Sequence, residues 1–280
     1  MMIQPAPNGG KRFISTMAEH NDLCDQFARG FGNAEFERPQ PYDEVLYAIA
    51  HHDRGWDEFD AKPVLDEKSG FPRGLGTAPI PGGLETTRRS PDFNEARFAY
   101  AGLLSSMHCW GLFNARYGFS EFRIQKGGST SVPIAPAQAD ATHAVLNKEL
   151  ARQERLKAVL AANPETAGWI EEKRLTQNYK LLQFFDTLAL YFNLRHASER
   201  EAEQFVHVPK SPTVDATVTV RPLGEERYAV APFPFAGDRF EARCKGRYFE
   251  PVSPDRRPDD LAAALYGRPP AEQLYVFVRG

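Results

Sequence analysis

Five residues of this chain carry side chains able to share one divalent metal ion: His20, His52, Asp53, His108 and Asp186. The centre of the set is the adjacent pair His52-Asp53. An imidazole and a carboxylate side by side offer one nitrogen and one oxygen donor to a single ion from one helix end. Two donors do not complete a coordination sphere, so the others must come from elsewhere in the chain. Each residue also has a structural reading. His52 and Asp53 suit a helix C-terminus, where a histidine meets the dipole and an aspartate caps the turn. His20 reads as a half-exposed first-turn histidine, and His108 as a core histidine bonded to a carbonyl. Asp186 reads as a buried carboxylate paired with an arginine or lysine. It favours the ligand reading, because its flanks are apolar and a lone buried carboxylate needs a partner.

The elements that would position these residues follow from periodicity. Phe13 to Thr16 reads as a short strand. Ala18 to Arg29 reads as a helix, with Leu23 and Phe27 four apart on one face, His20 in its first turn, and Gly30 and Gly32 as its stop. Pro41 opens a second helix that runs through Val45, Leu46 and Ile49 to His52, with Gly55 following. Residues 54 to 93 read as irregular, rich in proline and glycine, with Trp56, Phe59 and Phe71 packing them down. Phe93 to Tyr117 reads as one helix carrying His108 and closed by Gly118. Further helices are expected from about Pro136 to Leu160 and from Pro164 to about Arg195. In the last of these, Tyr179 to Phe192 is apolar nearly all round, which places it at the centre of a core. Asp186 is the single acidic residue of that stretch. After about residue 205, Thr213 to Val220, Arg227 to Ala231, Arg239 to Phe249 and Leu274 to Val278 read as strands, and Asp259 to Leu265 as a short helix.

Composition bounds the partners. At 280 residues the chain can bury a full core, and 42% hydrophobic with 25% charged residues is ordinary for a soluble globular protein. A net charge of −3 with no long basic block argues against nucleic acid as the main partner. No apolar run spans a bilayer, and residues 1 to 12 lack a signal-peptide core, so a cytoplasmic protein is expected. Cys24, Cys109 and Cys244 are odd in number and far apart, which suits reduced thiols. Gly127-Gly128-Ser129-Thr130 lacks the ending of a phosphate loop, and there is no nucleophile elbow or dinucleotide fingerprint.

In chain order, His20, His52-Asp53 and Asp186 resemble the HD superfamily, named for its metal-binding His and Asp residues. That superfamily places a His on one helix, a His-Asp pair ending a later one, and an Asp on a late helix. His108 corresponds to the extra histidine many members carry. The wider run Ala48-Ile49-Ala50-x-His52-Asp53-x-Gly55-Trp56, with Leu181-Leu182-Gln183-x-x-Asp186 and Pro232-Phe233-Pro234-Phe235, is similar to an uncharacterised bacterial family of unknown function.

The resemblance implies a mainly α-helical HD-like bundle over residues 13–204; with the strands read after it, the chain is expected to be α+β, a C-terminal antiparallel β section over 205–280 packing on the bundle. It implies a metal-dependent phosphohydrolase acting on a nucleotide or other small phosphorylated metabolite. His20, His52, Asp53, His108 and Asp186 would hold manganese, iron, nickel, zinc or magnesium. The ion would supply hydroxide near neutral pH, with Asp53 and His108 as the catalytic pair. Arg54, Lys180 and Arg97 are candidates to offset phosphate charge, and Trp56 and Phe59 to form a wall for a nucleobase. Glu149 and Gln153 could reach in; His143 is placed outside, His51 at the second shell or surface, and His196 and His207 in solvated turns. Two alternatives stand beside this reading: a diiron oxygenase on the same scaffold, and a metal-free binding module in which Asp186 is salt-bridged. The expected partner is a small molecule, with neither nucleic acid nor membrane, and self-association is left open.

Overall fold

A computed structural model describes residues 1–7, 9–77, 80–122, 131–253, 258 and 260–280, the side chains of 80–88 excepted. Two short strands, β1 (Met2–Ile3) and β2 (Arg12–Ser15), lead into helix α1 (Met17–Gly30). Thr16 and Glu19 form a reciprocal capping box: the Thr16 hydroxyl accepts the Glu19 N–H, and the Glu19 carboxylate accepts the Thr16 N–H at 2.7 Å. That cap fixes where α1 starts, and so which face His20 takes. Helix α2 (Tyr42–His51) follows Pro41, with Asp43 and Glu44 in its first turn, where they complement the helix dipole.

Residues 54 to 93, expected to be irregular, are largely structured. A 3-10 turn (Arg54–Trp56) runs into the short helix α3 (Asp57–Ala61), a small hairpin β3 (Leu65–Asp66) and β4 (Phe71–Pro72), and helix α4 (Ile80–Arg97). Pro81, Gly82 and Gly83, which read as loop signals, lie in α4, which also carries Pro91 internally. The expected single helix from Phe93 to Tyr117 is broken at Phe98, whose backbone is extended (φ −143°, ψ 129°). Helix α5 (Ala99–Phe113) then turns back against α4. The two pack closely at Gly102, where a Cβ would lie 2.7 Å from the Glu95 Cα.

Helix α6 (Ala139–Ala161) covers α5, and α7 (Glu172–Leu194) runs through the middle, buried at every position from Leu181 to Asn193. Strands β5 (Glu203–Ser211), β6 (Val214–Gly224), β7 (Arg227–Ala231) and β8 (Arg239–Phe249), the short helix α8 (Leu261–Tyr266) and strand β9 (Ala271–Arg279) complete the chain. Asp260 caps α8; Asp259, the first residue of the helix expected there, lies outside the described residues, as do Gly127 to Thr130.

The fold is α+β, but it is not the mainly helical bundle with a C-terminal antiparallel section that the sequence led us to expect. The described strands form a seven-stranded mixed sheet in the order β1-β2-β8-β9-β7-β6-β5. β7 and β9 pair in parallel and the other neighbours antiparallel. The N-terminal strands belong to this sheet, with Phe13 opposite Tyr248. Three features hid this. β1 and β2 are too short to show alternation. β5 shifts register between Phe205 and Val208, which breaks its period of two. A parallel pairing has no signature in either strand alone.

One hydrophobic core joins sheet and helices. Phe27 of α1 meets Phe192 of α7 and Phe235, Phe240 and Phe277 of the sheet side, and Phe192 stacks on Tyr275 at 4.2 Å. The sheet therefore serves as the floor against which α1 and α7, the carriers of His20 and Asp186, are seated. No helix among the described residues is long and apolar enough to cross a membrane.

β2 can lie on β8 only because position 246 lacks a side chain: a Cβ there would sit 2.6 Å from the Ile14 carbonyl oxygen, a backbone atom. Gly246→Ala is expected to destabilise the protein by about 1–3 kcal/mol through overpacking, read as a lower denaturant midpoint at unchanged slope.

Candidate functional site

The five His and Asp residues converge. His20 comes from the first turn of α1, His52 caps the C-terminus of α2, Asp53 follows as the backbone turns (φ −111°, ψ 23°), His108 comes from α5 and Asp186 from the middle of α7. All five are buried; Asp53, at 8%, is the most exposed. His20 Nε2 lies 3.3 Å from Asp186 Oδ1, and His52 Nε2 lies 3.8 Å from the same oxygen. His52 Nε2 is 3.6 Å from Asp53 Oδ2, and His108 Nε2 is 3.8 Å from Asp53 Oδ1.

These separations exceed the usual hydrogen-bond range. His52 Nε2 and both ring nitrogens of His108 have no hydrogen-bond partner although they are buried. A metal with bonds of about 2.1 Å would hold neighbouring donors about 3.0 Å apart in an octahedron and about 3.4 Å apart in a tetrahedron. The observed spacings of 3.3 to 3.8 Å lie close to the tetrahedral edge and are up to about 0.8 Å longer than the octahedral one. His52, Asp53 and His108 form one group of donors within 4.8 Å of one another, and His20, Cys24 and His52 form a second; the donor chemistry and the orphaned nitrogens fit a divalent ion there, with Asp186 beside His20 and His52.

The imidazoles are aimed from behind. His20 Nδ1 pairs with Asn193 Oδ1 at 2.8 Å, and Asn193 Nδ2 in turn donates to Cys244 Sγ at 3.1 Å. His52 Nδ1 pairs with the Ile49 carbonyl at 2.8 Å. Each bond places the hydrogen on Nδ1 and directs Nε2 into the cluster, the arrangement by which outer contacts set a ligand's tautomer. Asn94 braces the end of α2, donating to the His51 carbonyl at 2.9 Å.

Charges are strongly coupled here. Burial would push His52 down, but Asp53 and Asp186 outweigh it and lift the imidazole to about 9. Burial pushes His108 down and the charge on His52 adds to it, bringing it to about 4, so it is neutral at pH 7. Burial would raise Asp186, yet Arg116, His20 and His52 hold it well below the usual carboxylate range.

Arg116 is the residue that sequence reasoning missed. Its Nη2 lies 3.0 Å from Asp186 Oδ2, and its side chain is 3% exposed. Tyr117 and Arg116 fall beyond the end of α5 in a left-handed turn: Ala115, Arg116 and Tyr117 have φ of 51°, 54° and 58°, and Gly118 has 76°. Each non-glycine residue there costs on the order of 1 kcal/mol. Packing holds the turn: the Tyr117 ring lies 4.5 Å from Trp110 and edge-on to Tyr179, and its hydroxyl donates to Gln153 at 3.2 Å. Only Gly118 hinted at the turn, and it reads equally well as a simple helix stop. Cys24 was also missed. It stands one helical turn after His20, with Sγ 3.6 Å from His20 Nε2, and burial followed by the charges of Asp186 and Asp53 pushes its thiol well up. A protonated thiol is a poor metal ligand.

The other candidates lie elsewhere. Arg54 pairs with Asp57 and covers the Phe93 ring, Lys180 pairs with Asp215, and Arg97 stacks on Phe98. Trp56 is buried edge-on to Phe59 as part of the core. Glu149 is buried against Arg152, His143 is exposed, and His51 stacks on Tyr47.

The profile of the family described as "Protein of unknown function (DUF3891)" matches residues 2–250, a span that includes all five His and Asp residues and Arg116. The chain belongs to this family. No curated protein and no solved structure matches it.

The His52 geometry fixes a pH dependence. In metal-free protein the native state keeps its proton up to about 9, whereas the ordinary imidazole value is 6.5. Between those values the native state binds more protons than the unfolded one. The His52 contribution to stability is therefore fully present below 6.5 and is lost as pH rises through about 9. Melting of chelator-treated protein is expected to show this fall from pH 7 to 9, and His52→Gln to flatten it.

Proposed function

We propose that this protein is a metal-dependent phosphohydrolase of the HD type, its donor set mounted on an α+β scaffold. The observation that carries the reading is the meeting of three buried imidazoles and two buried carboxylates, with the donors of His52, Asp53 and His108 within 4.8 Å of one another and ring nitrogens left without partners. Charge adds to it. Two carboxylates are balanced by the Arg116 guanidinium and a protonated His52 in the metal-free cluster at pH 7; a divalent ion that displaced the His52 proton would turn it positive and favour an anionic substrate.

A divalent ion held by His20, His52, Asp53, His108 and Asp186 would supply Lewis acidity and a water of lowered pKa. The remaining roles fall to the chain. Asp53, the most exposed of the five and flanked by two histidines, is placed to accept the proton of an attacking water. His108, neutral at pH 7, has one ring nitrogen with a lone pair free for the ion. Asn193 and the Ile49 carbonyl keep the imidazoles of His20 and His52 oriented while charge changes around them.

A second reading is favoured by one observation. Arg116 already provides Asp186 with a counter-ion, as a metal-free binding module would require. Elemental analysis of purified protein separates the two. The hydrolase reading expects near-stoichiometric manganese, iron, nickel or zinc that His52→Ala loses; the binding module expects none, and no thermal response to added metal.

Two further outcomes follow from the hydrolase reading. Asp53→Asn is expected to lower kcat on phosphomonoesters by about 10²–10⁴-fold in protein reloaded with metal. Asn193→Leu, which leaves every donor in place, is expected to weaken metal binding by about 10–100-fold in competition titrations with a chromophoric chelator.

A further inference from the structure

Arg116 has more binding capacity than its partner uses. Nη2 lies on Asp186, whereas Nη1 is buried and has no partner. Arg200, similarly buried, shows the contrast: its three nitrogens are taken by the Arg195 and Phe192 carbonyls and the Tyr228 hydroxyl. A buried guanidinium nitrogen without an acceptor carries a desolvation cost that a bound acceptor removes.

Its surroundings leave further polar atoms free. Tyr179 and Gln183 precede Asp186 by seven and three positions on α7, and so share its face of the helix. Both are buried, and the Tyr179 hydroxyl and both amide atoms of Gln183 have no partner. Unpartnered donors next to a carboxylate that is already paired call for an acceptor from outside the chain. The planar fork of arginine suits an oxyanion, since one nitrogen can stay on Asp186 while the other takes an oxygen of the ligand.

We propose that Arg116 is the oxyanion-binding residue of the cluster, its Nη1 taking a non-bridging oxygen of a phosphoryl group while Nη2 remains on Asp186. This rests on the hydrolase reading for the class of oxyanion, and its test is separable from that reading. The left-handed turn at Ala115–Gly118 is what brings a long cationic side chain into the centre from beyond the end of α5. Arg54 and Lys180, the cations closest in sequence to His52-Asp53 and Asp186, have their charges committed to Asp57 and Asp215.

The experiment is calorimetric titration of inorganic phosphate into wild type, Arg116→Lys, Arg116→Gln and Lys180→Gln, with metal content and circular dichroism recorded for each. Arg116→Lys keeps the charge beside Asp186 but loses the fork, so it separates oxyanion binding from charge compensation. The expected result is phosphate affinity at least about tenfold weaker in Arg116→Lys, with metal content and spectrum as in wild type, and no change in Lys180→Gln. If wild type carries no metal and phosphate binding still depends on Arg116, this proposal stands and the hydrolase reading falls. If Arg116→Lys binds phosphate as wild type does, or wild type binds none, the proposal falls whatever the metal content.

Discussion

A carboxylate in the middle of a helix buried on every side governs this structure. Asp186 sits where ionisation is opposed by desolvation and is still ionised, because Arg116, His20 and His52 surround it. Removing one partner from such a group costs far more than an exposed ion pair is worth, since the remaining charge stays in a medium that cannot solvate it. Much of the architecture serves that requirement. α1 must start at Thr16 for His20 to face α7, α2 must end at His52, and the chain must leave α5 through a left-handed turn for Arg116 to reach in. The sheet holds α1 and α7 against each other through Phe27 and Phe192.

Helix α7 states the same design along one line. Tyr179, Gln183, Asp186 and Asn193 are buried polar positions at helical spacing, whereas the buried Thr187 beside them is bonded back to the Gln183 and Phe184 carbonyls. Asn193 has both ends of its amide engaged, orienting His20; Asp186 has both oxygens faced by cations or imidazoles; Tyr179 and Gln183 are unsatisfied. The gradient from satisfied to unsatisfied groups runs towards the N-terminal end of α7. A helix stripe of this kind specifies a site and a direction of approach to it at once.

The donor residues were legible because each breaks a local pattern. Asp186 interrupts an apolar run, His52-Asp53 sits at a helix stop, and His108 lies on an apolar face. Arg116 breaks nothing: an arginine near a helix end is commonplace, and only the backbone reversal makes it part of the centre. Asn193 was hidden for the same reason, as one amide near the end of a helix. For the fold, the long strands β6 and β8 could be read from alternation, and α1, α2 and α6 from apolar spacing and end signals. The sheet order could not. It depends on β2 finding β8 and on β9 inserting between β8 and β7, contacts between segments far apart in sequence that no local period encodes. α4 was lost because proline and glycine, breakers by propensity, are carried here inside a helix stabilised by its neighbours.

The place of β9 has a consequence for how the site comes into being. It is the last strand along the sequence, yet it lies at the centre of the sheet, bridging β8 and β7. All five donors precede it along the chain, and the floor that seats α1 against α7 is complete only when β9 lies between β8 and β7. The floor therefore closes through pairings between distant segments, and long-range closure of this kind is slow. Until β9 is in place, Phe27 of α1 and Phe192 of α7 lack Phe277 and Tyr275, the rings that hold them to the floor.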